Sequence, residues 1–170
     1  MSAVLTRWNS LPSQQAAAEI LPCCGSTAWA EKMAAKRPIT DETALLAVCN
    51  QACANLSQAD WLEAFRSHPR IGETKTSQAT SPRSVAWSRQ EQSSVETENR
   101  DNIMALADGN RAYEQKFGRT FIICAARKSA QEILENLRLR LQNDETTEFR
   151  IASEQQRQIA LLRLKKWLAT

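Results

Sequence analysis

The sequence predicts an all-α fold, arranged as a single compact multi-helix domain over residues 1–170. Turn signals are few, because only 4 glycines and 5 prolines occur in 170 residues. Long stretches rich in Ala, Leu, Glu, Gln, Lys and Arg favour helices over strands. Hydrophobic residues make up 42% of the chain, which is long enough to bury one core and too short for two comfortable domains.

Capping residues and prolines divide the first half of the chain into four predicted helices. A proline is tolerated in the first turn of a helix, and the residue before a proline tends to leave the helical conformation. Side chains of Ser, Thr and Asp accept hydrogen bonds from the first free backbone N–H groups of a helix. The first predicted helix lies between Pro12 and Pro22, and the second covers about 26–36 and ends before Pro38. Thr40 or Asp41 caps the third, and Ser57 with Asp60 caps the fourth.

A loop and a long helix are predicted next. Residues 73–83 are small and polar without apolar periodicity, so we expect a mobile surface loop there. Whether this loop serves as a lid is left open by the sequence. From Ser84 or Ser88 the pattern becomes helical and continues to about Lys116, with a candidate break near Gly109.

The last third of the chain is predicted to hold a short extended segment between helices. Gly118 follows the long helix at the position where glycine commonly ends one. The apolar run 121–125 is too short for periodicity to separate an extended segment from the start of a buried helix, and we favour an extended segment that crosses the core. Ser129 then caps a helix through Leu141, and a final helix begins near Glu145.

Charge and cysteine content bound the expected partners and compartment. The chain has 22 basic and 19 acidic residues, and the basic ones are scattered, so nucleic acid is not an expected partner. No apolar run approaches the ~20 residues of a membrane span, so no membrane partner is expected. An odd set of 5 cysteines and no pattern of a secretory leader favour a cytoplasmic location. Cys49 and Cys53 lie four apart on a helix, but a metal site needs further ligands, so we interpret them as buried thiols.

His68 is the only histidine in the chain and the leading candidate for acid–base chemistry near neutral pH. The proline that follows, Pro69, disfavours the α conformation at position 68. The histidine should therefore lie where a helix ends, and such a residue can face a cleft. The alternative is a structural histidine, with Arg70 and Glu73 forming only an ion pair with each other.

The segment 88–92 is the second candidate site. Ser88 and Glu91 or Gln92 are three and four apart, so a hydroxyl, a carboxylate and an amide share one helix face. A carboxylate near an imidazole orients the ring and favours its protonated form, while an amide offers a donor and an acceptor to a urea-like group. The alternative is a capping box, because Ser88 and Glu91 have the S-x-x-E spacing.

Two arginines are candidates for holding an anion. Arg163 lies among leucines, unlike the Lys165-Lys166 pair that follows it. An arginine on an apolar helix face needs an anion or acceptors, which a substrate carboxylate or an internal salt bridge would supply equally well. Arg140 is the competing candidate, although arginines in its Leu-Arg-Leu-Arg-Leu context more often form an exposed helix edge.

Four strings together resemble the 2-oxo-4-hydroxy-4-carboxy-5-ureidoimidazoline (OHCU) decarboxylases of urate catabolism. Each string alone is a weak signal. Four of them in the same order, at compatible spacing and over nearly the whole chain, make the resemblance specific and favour the functional interpretations above. The strings are His68–Glu73, Ser88–Gln92, Phe117–Gly118 with Phe121–Ala125, and Ile159–Leu164.

The resemblance implies an all-helical enzyme without cofactor or metal, commonly a homodimer, that removes CO2 from its small-molecule ureidoimidazoline substrate and gives (S)-allantoin. It implies that His68 is the proton-transfer residue and Glu91 its polar partner. Ser88 and Gln92 would bind the polar ring or ureido group, and Pro69 would shape the pocket. Substrate contacts are also implied for the backbone of Phe121, Ile122, Ile123, Cys124 and Ala125 and for Arg163, with Arg140 as its competitor.

A non-catalytic helical interaction module is the alternative function. Five tryptophans, several amphipathic helices and a basic final turn over 163–167 would suit a partner helix, a membrane surface or nucleic acid. Binding of this kind would be sensitive to salt and would survive removal of His68, whereas turnover would not.

Overall fold

A computed structural model describes residues 2–73, 81–96 and 99–170, and helices dominate these ranges. They contain no strand, so the predicted all-α class is confirmed. No helix in this part of the chain is long and apolar enough to cross a bilayer. The helices are α1 (Ala3–Ser10), α2 (Ser13–Ile20), α3 (Thr27–Ala35), α4 (Glu42–Ala54), α5 (Gln58–Arg66), α6 (Pro82–Glu91), α7 (Ser93–Glu96), α8 (Arg100–Phe117), α9 (Ala130–Arg140) and α10 (Glu145–Leu168), with a short 3-10 helix at Leu21–Cys23.

The chain divides into two compact units, one of Met1–Ala64 with Arg157–Thr170 and one of Phe65–Gln156. In the first unit the indole rings of Trp8 and Trp167 pack edge to face with 5.5 Å between their centroids. The single domain over 1–170 stays a prediction. The core of the second unit comprises Ile71, Val95, Leu106, Tyr113, Phe117, Phe121, Ile123, Ala125, Ala130, Ile133, Leu134 and Leu137.

Helix starts follow the capping signals in the sequence. Asp41 caps α4, where its Oδ1 accepts the N–H three residues on at 2.8 Å. Ser57 and Asp60 bond reciprocally at the start of α5, with N–H to side-chain oxygen distances of 2.8 and 3.2 Å. Ser129 forms a complete capping box at the start of α9. These predictions are confirmed because each cap depends only on residues three apart.

The helix predicted from Ser84 to Lys116 is wrong as a single element. In the described residues of this stretch, 84–96 and 99–116, the chain forms three helices, α6, α7 and α8, and Asn99 caps the last of them. Gly109 does not break α8 but lies inside it. A Cβ at this position would come within 2.5 Å of Leu137 Cδ2, so the glycine allows α8 and α9 to pack closely. The glycine reflects tertiary packing, which local pattern does not report.

The loop predicted over 73–83 ends too late. Helix α6 begins at Pro82, and the side chain of Ser81 caps it by accepting the N–H of Ser84 at 3.2 Å. Proline suits the first helical position because its missing N–H would have no partner there. The Ser-Pro pair was therefore a start signal within the predicted loop. The rest of this prediction, with the question of a lid, falls on 74–80, which lie outside the described residues.

The first helix, α1, was not predicted. It is short, and the side chain of Ser2 caps it by accepting the N–H of Leu5 at 3.2 Å. Leu5 and Trp8 are its buried residues. Two buried apolar residues among eight give too little periodicity to identify a helix from the sequence. Ser2 was nevertheless a usable signal, because serine commonly caps a helix start.

The segment 121–125 joins α8 to α9 without regular secondary structure. Its alternative interpretation as the start of a buried helix is wrong. Phe121, Ile123 and Ala125 belong to the core of the second unit, as expected for a segment that crosses it. Gly118, with φ +66°, ends α8 in the left-handed conformation that favours glycine.

Candidate functional site

The histidine turn, defined as residues 68–73, directly follows α5 and contains the only histidine. The His68 N–H donates to a carbonyl in the last turn of α5 at 3.2 Å, and the residue is 7% exposed. The turn closes where the Glu73 N–H donates to the Arg70 carbonyl at 2.9 Å. Gly72 has φ +87°, as the third position of a type II turn requires. The predicted placement of the histidine at a helix end is confirmed.

Helix α8 holds the histidine turn through two side chains one helical turn apart. Asn110 is buried and its Nδ2 donates to the Ile71 carbonyl at 3.1 Å. Both carboxylate oxygens of Glu114 accept from Arg70, at 2.6 Å from Nε and 2.8 Å from Nη2. The bonded Glu114 carboxylate raises the pKa of Arg70 above its ordinary value. The expected pairing of Arg70 with Glu73 is present at 3.4 Å but is the longer contact.

Gln92 connects the second candidate site to the histidine turn. Its Oε1 accepts the Gly72 N–H at 2.9 Å. Because a backbone N–H can only donate, the atom that faces it must be the amide oxygen. The amide nitrogen is then the end of the side chain that can donate to another group. Gln92 follows the last residue of α6, so this bond fixes the end of α6 against the turn.

A cleft of about 130 Å³ lies beside the histidine turn. Three of the predicted site residues, Pro69, Ser88 and Gln92, meet in it. His68 and the half-buried Glu91 are not among the described residues that line the cleft. Each directly precedes a lining residue, Pro69 and Gln92 respectively. The volume is below the ~300–1,000 Å³ of most ligand pockets, which suits a small molecule. The cleft is lined by Pro69, Gly72, Glu73, Val85, Ser88, Arg89, Gln92, Val95 and Ile103.

The interpretation of Ser88 and Glu91 as a capping box is wrong. Helix α6 begins at Pro82 and is capped by Ser81. Ser88 lies in the second half of that helix and is 3% exposed, and Glu91 is its last residue. Neither residue lies in the first turn of α6, whose free N–H groups a capping box at its start would satisfy. Ser88 instead presents its side chain to the cleft.

Two charged residues of the cleft were not among the substrate-binding residues predicted from the sequence. Arg89 and Glu73 line it and place opposite charges at its wall. The signal for Arg89 was its spacing, since it lies three residues before Gln92 and therefore on a neighbouring position of the same helix surface. A wall with a cation, a carboxylate, a hydroxyl and an amide suits a polar heterocycle with an anionic substituent.

Several backbone groups of the segment 121–125 form hydrogen bonds with side chains of the second unit. The Cys124 N–H donates to Gln155 Oε1 at 2.9 Å, and the Cys124 carbonyl accepts from Lys128 Nζ at 3.0 Å. The Ile122 carbonyl accepts from Arg140 at 2.7 Å. Among the described residues that line the cleft, this segment contributes none. The substrate contacts of Phe121, Ile122, Ile123, Cys124 and Ala125 stay a prediction.

The expectation that Arg140 forms an exposed helix edge is wrong. Its guanidinium is buried, lies 4.5 Å from the Phe121 ring centroid, and donates to Glu148 Oε1 from Nε at 2.9 Å and from Nη2 at 2.5 Å. The Tyr113 hydroxyl donates to the same oxygen at 2.6 Å. Burial, and then the bond to Glu148, raise the pKa of Tyr113. Arg140 thus has an internal anion, which satisfies its charge without a substrate.

Arg163 lies in α10, within the first unit. It is fully buried, and its Nη1 donates to the Pro22 carbonyl at 3.2 Å. Its role in holding a substrate anion stays a prediction. Trp167 of the same helix is 1% exposed and donates from Nε1 to Glu19 at 3.1 Å. Because both residues are buried, neither is available to a partner surface, and Lys165 and Lys166 are the basic residues of 163–167 that are exposed or half-buried.

The two cysteines that lie four apart, Cys49 and Cys53, are both on α4. Cys49 and Cys53 are buried, and a hydrogen bond with Cys49, followed by burial, raises the pKa of Cys53. Within the described ranges, no group of three or more His, Cys, Asp and Glu side chains is arranged to hold a metal. The interpretation of the pair as buried thiols is confirmed.

Sequence comparison relates the chain to proteins of uric acid breakdown. The profile of the OHCU decarboxylase family matches residues 9–165. The chain is 33% identical over 144 residues to the uric acid degradation bifunctional protein TTL of Arabidopsis thaliana, and the match covers 85% of this chain. It is 28% identical over 135 residues to the 2-oxo-4-hydroxy-4-carboxy-5-ureidoimidazoline decarboxylase of Haloferax volcanii, covering 79% of this chain and 77% of that protein.

Solved structures share the fold. The crystal structure of an OHCU decarboxylase in the presence of (S)-allantoin matches with a TM-score of 0.76 and 32% identity, over 89% of this chain and 98% of that one. An (S)-allantoin synthase matches with a TM-score of 0.68 and 20% identity, over 96% of this chain and 53% of that one, which supports the fold alone. The chain spans 44% of the length of the Arabidopsis protein.

Proposed function

Because this chain belongs to the OHCU decarboxylase family, we propose that it decarboxylates 2-oxo-4-hydroxy-4-carboxy-5-ureidoimidazoline to (S)-allantoin in the breakdown of urate. The observation that carries the proposal is the cleft in which Pro69, Ser88 and Gln92 meet, with the buried His68 directly before Pro69 in the chain. All four residues lie within the range 9–165 that matches the family. The relatives named for uric acid degradation and for OHCU decarboxylation support the same reaction.

The chemistry of the substrate makes a cofactor or metal unnecessary. Its imine carbon adjoins the carbon that bears the carboxylate. When CO2 leaves, the electron pair of the broken bond flows into the imine and gives an enol-like intermediate instead of a localised carbanion. The protein then has three tasks: to orient the leaving carboxylate, to manage the proton of the adjacent hydroxyl, and to deliver a proton to one face of the intermediate.

We assign the proton transfers to His68 and the orientation of its ring to Glu91. The imidazole takes part in deprotonation of the substrate hydroxyl and in reprotonation at the ureido-bearing carbon, which gives a single stereoisomer. Acid–base help of this kind accelerates reactions by about 10²- to 10⁴-fold. Two observations support the assignment: the buried position of His68 next to Pro69, and the position of Glu91 next to Gln92 at the end of α6.

Ser88 and Gln92 are assigned to the polar ring or ureido group. Because the Gln92 oxygen already accepts the Gly72 N–H, we expect its amide nitrogen to donate to a substrate carbonyl or carboxylate oxygen. Pro69 shapes one wall of the cleft. The remaining proposed contacts are the backbone of Phe121–Ala125 and the guanidinium of Arg163.

We also propose that the protein works as a cytoplasmic homodimer on its small-molecule substrate alone, without nucleic acid or membrane partners. The odd number of cysteines, five, fits a reducing compartment. The near balance of 22 basic and 19 acidic residues gives no electrostatic reason to bind nucleic acid. The homodimer follows from the resemblance to the family.

The direct test generates the ureidoimidazoline in situ from urate and follows the optical activity of the allantoin formed. The reactions contain the native protein, the heat-denatured protein or no protein. We expect the native protein to accelerate decay of the intermediate and to give an excess of the S enantiomer. Racemic decay at the rate of the protein-free reaction would reject the proposed function.

A further inference from the structure

We infer that Asn110 and Glu114 of α8 are positioning residues, which fix the histidine turn so that the His68 imidazole meets the substrate in one pose. The inference rests on the proposed function, since it concerns the residue that moves the proton. Among the described residues that line the cleft, neither Asn110 nor Glu114 occurs. Their influence on the reaction must therefore pass through the turn.

The backbone on both sides of His68 is constrained. Its N–H is bonded to the last turn of α5 at 3.2 Å. The ring of Pro69 fixes the next φ near −65°. From Arg70 onward, the position of the turn depends on side chains from elsewhere in the fold. A displacement of the backbone at Arg70 or Ile71 therefore also displaces His68, because only the rigid Pro69 separates Arg70 from His68.

Asn110 and Glu114 supply those contacts from one face of one helix. Residues four apart on a helix lie one above the other, so the two side chains reach adjacent points of the turn. Asn110 binds the Ile71 carbonyl at 3.1 Å, and Glu114 binds the Arg70 guanidinium with two parallel bonds of 2.6 and 2.8 Å. A bidentate contact fixes orientation as well as distance.

Helix α8 is a suitable rigid support for the turn. It has 18 residues, and its Gly109 packs directly against Leu137 of α9. Asn110 follows this contact in the sequence. The Asn110 side chain is 2% exposed, so it has little room to adopt another rotamer. The turn is therefore held against a packed part of the second unit.

The experiment compares Glu114→Gln and Asn110→Leu with the wild type. Glutamine keeps the shape of Glu114 but loses the charge and one acceptor, and leucine keeps the shape of Asn110 but loses the donor. Asp108→Asn is the matched control. It removes a carboxylate of the same helix and its exposed ion pair with Arg111, and it leaves the histidine turn untouched.

For both variants we expect kcat to fall by about 10-fold, because a misplacement of about 1 Å can reduce a rate by 10²-fold. KM should stay within about 2-fold of the wild type, since the cleft residues are unchanged. The excess of (S)-allantoin should also fall, because a loosely held imidazole protonates both faces. Glu114→Gln should unfold at the same temperature as Asp108→Asn, and that control should keep wild-type kinetics.

A variant with wild-type kcat and wild-type enantiomeric excess would overturn the inference. So would a loss of activity that only follows the unfolded fraction, with the enantiomeric excess of the remaining product unchanged. Glu114 is 26% exposed, so Glu114→Gln keeps the test valid if Asn110→Leu fails to fold. If the wild type itself gives racemic allantoin at the uncatalysed rate, the proposed function fails, whereas an active wild type with unaffected variants rejects the positioning role alone.

Discussion

Replacement of Glu148 by Gln removes the negative charge at the centre of a buried polar cluster. Glu148 is 0% exposed. Its Oε1 accepts two bonds from Arg140 and one from the Tyr113 hydroxyl, and its Oε2 accepts one from Asn143 at 2.9 Å. A glutamine has one acceptor oxygen, so its amide nitrogen would face a donor. The Arg140 charge would stay buried without an anion.

The expected loss of stability is large. Removal of one partner from a buried ion pair costs about 3–5 kcal/mol, because the other charge is left uncompensated. In a chain of this size 1 kcal/mol lowers Tm by about 2–4 °C, so Glu148→Gln should lower Tm by about 6–20 °C. Asp108→Asn breaks an exposed ion pair and should change Tm little.

Thermal unfolding followed by circular dichroism at pH 7 measures the difference, and KM is determined for each variant well below its Tm. We expect KM of Glu148→Gln to match the wild type, because the cluster serves the fold. The double variant Arg140→Met with Glu148→Leu removes both charges and should recover only part of the lost stability, because the Tyr113 hydroxyl, the Asn143 amide and the Ile122 carbonyl still lose these partners. A Tm equal to that of Asp108→Asn would refute the reasoning, and a tenfold rise of KM with wild-type Tm would identify Arg140 as a substrate ligand.

Three further predictions concern the turn, the cleft and alkaline pH. Gly72 has φ +87° and Gly118 has φ +66°, and a Cβ added at either position would meet no clash. Gly72→Ala and Gly118→Ala should therefore each lower the free energy of unfolding by about 1 kcal/mol, from backbone strain alone. Only Gly72→Ala should lower kcat, and equal kcat values in the two variants would contradict the role of the turn. Gln92→Glu keeps the oxygen that accepts the Gly72 N–H and loses the amide donor. We expect KM to rise about 10-fold, as loss of one hydrogen bond to a charged group implies. An unchanged KM would show that the amide does not bind substrate. Burial and Glu148 raise the pKa of Tyr113 above its value of 10.0 in an unfolded chain. Its contribution to stability is therefore complete below about pH 10 and is lost as pH rises beyond it. The stability difference between wild type and Tyr113→Phe should shrink over that range in denaturant titrations, and a constant difference would argue against the buried phenol.

Local signals were sufficient for most helix starts and for the position of the histidine. The caps at Asp41 and Ser129 depend on side chains and N–H groups three residues apart. The division of 84–116 into three helices was not predicted, and Gly109 was mistaken for a break. Its role depends on Leu137, which is distant in sequence and packs against it in the fold.

The candidate site was predictable where it lies in short strings, and not where it depends on distant partners. Ser88 and Gln92 were identified together because both lie on one helix surface. Glu114 and Asn110 were missed, since their bonds to Arg70 and Ile71 span 44 and 39 positions of the chain. The buried state of Arg140 was missed because its partner Glu148 lies on another helix. The sequence offered one signal for Asn110 and Glu114, since two polar residues four apart share one face of α8.

The enantiomeric composition of allantoin formed by His68→Asn tests the central claim most directly. Asparagine keeps polar atoms at this position but cannot transfer a proton near neutral pH. We predict that His68→Asn forms allantoin at a rate at least about 10²-fold below the wild type and without an excess of the S enantiomer. Its helical circular dichroism spectrum should be unchanged. Rapid formation of (S)-allantoin by this variant would contradict the assignment of proton transfer to His68.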